Sequence, residues 1–438
     1  MAPVVSGFSK LSKSDKIKWL VEHHFNNDQN TVSTLKTYWN SDHKLQQLHD
    51  EFTENTISNY YLPFSVAPNF LINGKRFTIP MAIEESSVVA AASKAAKFWQ
   101  HRGGFKAEVL STVKVGQVHF TYTGDLQKLK TFFDSIKAEL ISSASHITKN
   151  MEKRGGGIID IELRDKSSEI ENYYQLHCTF GTADAMGANF INSCLEQFAD
   201  FLTKAASEYN DFSEAEKNIE IIMSILSNYV PECLVRTYVS CPVNELPKVG
   251  ELSPLQYAEK FVRAVQIAKV EPYRAVTHNK GIMNGIDAVV LATGNDFRAI
   301  EAGAHAFASK DGQYTSLTNA KIENDVFHFS IEIPLALGTV GGLTALHPLV
   351  KLALHLLGSP NAKKLMEITA VAGLAQNFGA INSLITTGIQ QGHMKMHLMN
   401  ILNQFQATNE EKEQLVNYFK TNTVTHSEVV QQIEKLRR

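Results

Sequence analysis

Lys280 stands in HNKGIMNGID, residues 278–287, among asparagines and glycines. A cation flanked by such small residues can approach backbone and amide groups closely. That suits an ammonium meeting a carbonyl oxygen that becomes negative, a solvated loop lysine being the other reading. Asp296, in ATGNDFRAIEAGAHAF, falls at the first turn of an expected helix, where the helix dipole favours an acid and where capping alone would account for it. Glu84 and Glu85 follow FTIPMAI and precede an alanine-rich run. A carboxyl drawn into a buried site keeps its proton to higher pH and can act as a general acid, with helix-start electrostatics the alternative. His393, in GIQQGHMKMH, titrates near neutrality and can protonate a leaving group from a tail hinged at Gly388 or Gly392, although most lone histidines are surface or core residues. In DAMGAN, 184–189, Gly187 permits close backbone approach just before a helix expected near Ala188. Free amides there favour phosphates, and a plain strand-to-helix turn fits the same residues.

The elements that must hold these residues have two textures. Residues 10–60 read as short amphipathic helices, and ESSVVAAASKAAKFWQHRGG as a helix capped by Ser86 or Ser87 and stopped by Gly103-Gly104. From about 106 the pattern changes to alternating strands in KAEVLSTVKVGQVHFTYTG, a helix over roughly 126–152, strands in GGIIDIELRD and NYYQLHCTFG, and a helix from ANFINSCLEQF onward. This order describes a compact α+β module inserted in a mainly helical chain. Helices are expected again near 254–269, 295–309, 347–357 and 361–386, around a β-rich patch at 314–337, with three short charged helices in the tail.

Composition limits the function classes. With 438 residues the chain exceeds one core, and a net charge of −3 gives no polyanion-binding footprint, so nucleic acid is not expected as a main partner. The N-terminus has no apolar h-region, and no stretch reads as a membrane span of about 20 apolar residues. A cytoplasmic protein with no membrane partner is expected. Cys178, Cys194, Cys233 and Cys241 show no CxxC spacing, which favours reduced core thiols over disulfides or a metal site.

Together the stretches ENTISNYYLPFSVAPNF, PMAIEESSVVAAAS, GGGIIDIE, DAMGAN, ILSNY, EPYRAVTHNKGIMNGIDAVVLATGNDFRAIEAGAHAF, GLAQNFGA and GIQQGHM resemble the class II, bacterial-type 3-hydroxy-3-methylglutaryl-coenzyme A reductases, in that family's order and over nearly the whole chain. The resemblance implies an α+β fold. A large, mainly helical substrate domain (1–111 and 227–386) would carry an inserted small α/β sandwich-like cofactor domain (112–226) and a mobile C-terminal helical flap (387–438). It implies a two-step reduction of the thioester to mevalonate and free coenzyme A, through a hemithioacetal and mevaldehyde, in isoprenoid biosynthesis. Lys280 would stabilise the oxyanion, Glu85 deliver protons, Asp296 tune both, and His393 protonate the coenzyme A thiolate. That last step is chemically apt, since a thiol of pKa about 8.5 takes a proton readily from an imidazolium of about 6.5. Ser87, Asn228, Arg274 and Asn284 would surround the hydroxymethylglutaryl group, Arg274 holding its carboxylate in a fork, unless it forms a structural ion pair. Lys10 falls where the family commonly has an arginine for the coenzyme A phosphates, and it loses the bidentate geometry.

DAMGAN, through Asp184, Met186, Gly187 and Asn189, would meet the dinucleotide. NADH-preferring members carry an acid on the helix before the GGG turn, whereas this chain reads SASHITKNMEKRGGG with Thr148 at that position, flanked by His146 and Lys149. Nothing there repels a 2′-phosphate, so NADPH is expected. The resemblance also implies a homodimer, or an oligomer built from dimers, with sites between subunits. NADH-linked degradative oxidation of mevalonate, a hydrolase with Glu85 as base, and an interaction protein that kept the fold remain the alternatives.

Overall fold

Ser12, Asp28 and Asp42 each turn a side-chain oxygen back on the first free amides of a helix, starting α1 (Lys13–His24), α2 (Gln29–Thr37) and α3 (His43–Asp50). The structure, a computed structural model, describes residues 4–386, 388 and 398–437, and of Ser86 the backbone alone. Its chain falls into two units, 1–63 and 64–438. Within the first, Lys13 pairs with Asp50 at 2.7 Å. Trp39 Nε1 donates to Ile57 O at 3.0 Å and Ser58 Oγ to Leu35 O at 2.6 Å, tying the ENTIS stretch (54–58) back onto these helices.

The second unit begins with a hairpin of β1 (Phe64–Ile72) and β2 (Lys75–Ala82), turned at Asn73-Gly74 with φ of 50° and 81°, the left-handed pair that a type I′ turn demands. Helix α4 (Ser86–Gln100) packs on β1, and β3 (Lys106–Val109) follows. Glu85 takes the N-cap position expected for a serine.

Next come β4 (Lys114–Thr121), α5 (Leu126–Ser143), α6 (Ser145–Glu152), β5 (Gly157–Asp165), β6 (Tyr173–Gly181), α7 (Ala188–Glu208) and β7 (Glu220–Leu226). Their antiparallel order is β5-β6-β4-β7, the ferredoxin-like split βαβ arrangement. Alternate strand residues such as Phe120, Leu176 and Phe180 join Phe132, Leu195 and Phe198 of α5 and α7 in a core of their own. Two details differ from the sequence pattern. The helix expected over 126–152 breaks at Ala144, and β7, hidden by its adjacent apolar residues Ile221, Ile222 and Met223, closes one sheet edge.

The large core resumes with β8 (Leu234–Pro242), α8 (Pro254–Val270), α9 (Pro272–Ala292), α10 (Phe297–Ala308), β9 (Thr318–Glu323), β10 (Val326–Pro334), α11 (Leu343–Leu346), α12 (Pro348–Leu356) and α13 (Ala362–Ile385). Strand β3 belongs here, in the order β3-β8-β10-β9, rather than with the inserted module. Residues 272–292, lacking any expected helix, form one of 21 residues, with Lys280 near its middle. Gly285 explains both its low propensity and its place: a Cβ there would lie 2.5 Å from Ala372 O of α13. Close packing of two backbones outweighs the roughly 1 kcal/mol that glycine costs in a helix. Helix α13 is long and apolar enough to cross a membrane, contrary to the expectation from sequence, but 72% of its most apolar window is buried inside the fold; it is the core's central rod. A third apolar cluster gathers α14 (398–404 within the described residues), α15 (Asn409–Tyr418) and α16 (His426–Leu436) around Leu402, Leu415 and Val429. All four cysteines are buried free thiols, and burial pushes Cys233 and Cys241 up to about 11.

Candidate active site

The N-cap of α4 puts the Glu85 carboxylate opposite the middle of α9. Lys280 Nζ lies 3.1 Å from Glu85 Oε2, and Ser87 Oγ donates to Glu85 Oε1 at 3.0 Å. Lys280 is 63% exposed and Glu85 34%, so this pair lines an open surface rather than a closed cage. Asn284, one turn on from Lys280, shares its face of α9.

What holds the Lys280 turn still was not legible as function. On the opposite face, His278 and Asn279 are buried. His278 Nε2 meets Thr318 Oγ1 at 2.6 Å, Asn279 Nδ2 donates to Thr315 O at 2.9 Å, and Leu317 N donates to Asn279 Oδ1 at 3.1 Å. Asn377 of α13 joins by donating to His278 O and accepting from Thr318 Oγ1. Burial, helped by the Arg274 guanidinium, pushes the His278 imidazole down to about 3, which keeps it neutral. The signal was in the sequence, as two polar residues beside the lysine, but a single chain gives no reason to bury them.

Arg274, in the first turn of α9, is half-buried, and its side chain has neither an ion-pair nor a hydrogen-bond partner among the described residues. The structural ion pair considered for it is absent among the described residues. A half-buried guanidinium left unmatched is suited to an incoming carboxylate.

Asp296 caps α10, accepting from Arg298 N at 3.0 Å and Ala299 N at 3.2 Å. The Arg298 guanidinium also binds it at 3.1 and 3.2 Å and, with those amides, holds its carboxyl below the usual carboxylate range. No ion pair joins Asp296 to Lys280, so within one chain the expected Lys–Glu–Asp set is present as the Lys280–Glu85 pair alone. Asp296 instead lines a cleft of about 390 Å³ shared with Met186, Gly187, Asn189 and Met151.

The turn before α7 forms a wall of that cleft. Gly187 has φ 91°, a Cβ on it would strike Thr182 Cγ2 at 2.4 Å, and α7 starts with no side-chain cap. Left-handed glycine, uncapped amides and an open cleft fit the pyrophosphate of a dinucleotide. Asp184 does something else. Its Oδ1 accepts from Ala362 N at 2.8 Å and its carbonyl from Thr339 N at 2.8 Å, so the carboxylate ties the turn to the start of α13 rather than facing the cleft. Thr148 is also corrected: it is 1% exposed and donates to Ser145 O within its own helix, because that face of α6 packs on the module. His146 and Lys149 are exposed on α6.

Asn228 is exposed beside a small cavity that it shares with Met186. Lys10 is exposed in the 3-10 turn Phe8–Lys10 of the first unit. His393 lies outside the described residues.

The matches to known proteins agree with this geometry. The family model described as Hydroxymethylglutaryl-coenzyme A reductase matches residues 14–398. A 3-hydroxy-3-methylglutaryl-coenzyme A reductase of Archaeoglobus fulgidus is 36% identical over 95% of this chain and 90% of its own length. A probable one of Borreliella burgdorferi is 33% identical over 91% and 88%. The class II enzyme of Streptococcus pneumoniae, solved bound to NADPH in open conformations, superposes with a TM-score of 0.72 at 36% identity, covering 87% of this chain and all of that one. A second structure of that organism's enzyme gives 0.73 at 34% identity with complete coverage of both chains. Fold and site thus define an oxidoreductase. The chain belongs to the hydroxymethylglutaryl-coenzyme A reductase family, in its class II form.

Proposed function

We propose that this chain reduces hydroxymethylglutaryl-coenzyme A to mevalonate and free coenzyme A, and the observation that carries the reading is the 3.1 Å pair of Lys280 and Glu85. A thioester carbonyl received by the exposed ammonium finds a fixed positive charge where its oxygen turns negative, twice over: in the hemithioacetal and again at the aldehyde. Glu85, bonded to the lysine and to Ser87, must take up a proton from solvent before each hydride step, and as the carboxylic acid it gives that proton to turn each oxyanion into a hydroxyl. Arg274 holds the free carboxylate of the substrate, with Asn284 and Asn228 beside it. His393 protonates the departing thiolate, and Lys10 meets the coenzyme A phosphates.

The turn at Met186, Gly187 and Asn189 holds the dinucleotide by backbone amides, and the exposed Lys149 and His146 favour a 2′-phosphate. When bound there, reduced nicotinamide supplies the hydrides. Asp296, on the same cleft, acts from the cofactor side once it exchanges Arg298 for the reacting groups. In this reading residues 112–226 are the cofactor module, 387–438 the flap, the assembly is a homodimer with sites between subunits, and the enzyme works in the cytoplasm in the synthetic direction.

The test is to follow absorbance at about 340 nm and thiol release together, with NADPH and with NADH. Two reduced nicotinamides consumed per thiol, at a higher rate with NADPH, is the expected result. Thiol release without nicotinamide oxidation would make the chain a hydrolase.

A further inference from the structure

Lys114, the first residue of β4, is 5% exposed and has no carboxylate partner among the described residues. Its Nζ donates to Thr182 Oγ1 at 2.5 Å and to Ala185 O at 2.8 Å, and Thr182 Oγ1 itself donates to Ala185 O at 2.7 Å. Burying an ammonium against neutral oxygens alone is costly, and burial lowers the basicity of this amine accordingly. An apolar residue would fill the same space without that cost, so packing does not explain the lysine.

Its two acceptors belong to the segment that delivers the chain into the turn before α7. That segment is held in an unfavourable shape: Ala183 has φ 47°, Gly187 sits against Thr182, and a Cβ on Gly338 would lie 2.5 Å from Met186 N. On one side Thr339 N and Ala362 N fix Asp184 to the large core; on the other Lys114 fixes Thr182 and Ala185 to the inserted sheet. We propose that Lys114 is a positioning residue for the cofactor, clamping residues 182–185 so that the amides following Met186 stay aimed into the cleft beside Asp296. This rests on the reading of that turn as the dinucleotide site.

Lys114→Met keeps the stem and removes the charge and all donors. Its dissociation constant for NADPH, read by cofactor fluorescence, and its KM for NADPH should both rise about tenfold as the turn loses both charge-assisted bonds from Lys114 and part of its preorganisation, while KM for the hydroxymethylglutaryl thioester stays within about twofold. Lys114→Gln, which retains an N–H donor, should recover part of the affinity. Thr182→Val, losing only the hydroxyl, should move NADPH affinity in the same direction and provides the reading if Lys114→Met does not fold. Unchanged NADPH affinity in folded variants with an altered melting temperature would overturn the proposal and leave Lys114 a structural residue. Failure of the unmutated protein to bind NADPH would instead overturn the assignment of the turn itself, and the clamp with it.

Discussion

Lys280 and Asp296 stand on consecutive helices, α9 and α10, yet Lys280 pairs with Glu85 at 3.1 Å while Asp296 pairs with its neighbour Arg298 at 3.1 Å. One chain therefore keeps two groups apart, a cation–carboxyl pair at Lys280 and an acid on the rim of the cleft beside Gly187, the two half-sites of the proposed reaction.

Lys280→Ala should lower turnover by at least about 10²–10³-fold, the range for removing one preorganised oxyanion donor. Its melting temperature should stay within a few degrees of the unmutated protein, because an ion pair this exposed contributes only about 0–1 kcal/mol. Parallel kinetics and thermal unfolding separate the two effects. A large fall in melting temperature would mean that the lysine holds α9 to α4 rather than meeting a carbonyl.

Gly285→Ala tests the packing that aims the lysine. The added methyl meets the Ala372 carbonyl at 2.5 Å and Gln376 Cβ at 2.8 Å, and neither is the far end of a flexible side chain. Overpacking of this kind costs about 1–3 kcal/mol. Both stability and kcat should fall, since relief requires α9, and Lys280 with it, to shift outward. Denaturant unfolding with an unchanged slope and a lower midpoint is the expected record.

How much of this was legible before any coordinates depended on where the information resides. Helical periodicity and strand alternation are local, so α1, β5 and β6 follow from their own neighbourhoods, while the Asn73-Gly74 hairpin, equally local, was not read from the sequence. Helix α9 does not, because its glycines and asparagines are poor helix formers until α13 is packed against them. The site divides the same way. Residue types and order singled out Glu85, Lys280 and the Gly187 turn as candidates; the Arg298 partner of Asp296 lies only two residues away and was overlooked, whereas the burial of Thr148 and the bond from Ala362 N to Asp184 are tertiary facts. The buried His278–Thr318–Asn377 network escaped for that reason as well.

Asp287, two turns beyond Lys280 on α9, predicts a pH dependence of stability. Burial, a hydrogen bond with Glu301 of α10 and that neighbour's charge push its carboxyl up to about 8 from 3.8, and Oδ1 is buried without a hydrogen-bond partner among the described residues. A raised carboxyl pKa means that between about pH 4 and 8 the folded state holds a proton the unfolded chain has lost. The group's contribution is therefore full below about pH 4 and declines as pH rises through 8. Asp287→Asn, which mimics the protonated form, should flatten this decline, so that its melting temperature gains on the unmutated protein's as pH is raised from about 5 to 8. An identical pH profile for the two proteins would show that Asp287 titrates no differently in the fold than in the unfolded chain.

The two half-sites also make a prediction about assembly. If the cofactor turn of one protomer serves the Lys280–Glu85 pair of its partner, a protein inactive through Lys280→Ala and one inactive through Gly187→Ala should complement each other. Gly187→Ala is disabling locally, since its methyl would meet Thr182 Cγ2 at 2.4 Å in a left-handed backbone. In a hybrid dimer one site collects both lesions and the other collects neither. Random reassortment makes half of the dimers hybrid, so the mixture, after mild dissociation and reassembly, should recover about a quarter of the unmutated activity, as two-fold symmetry requires. Sites formed within single chains would leave every site with one lesion, and the mixture would stay as inactive as its components. The recovered fraction thus reads directly which chain supplies the cofactor turn.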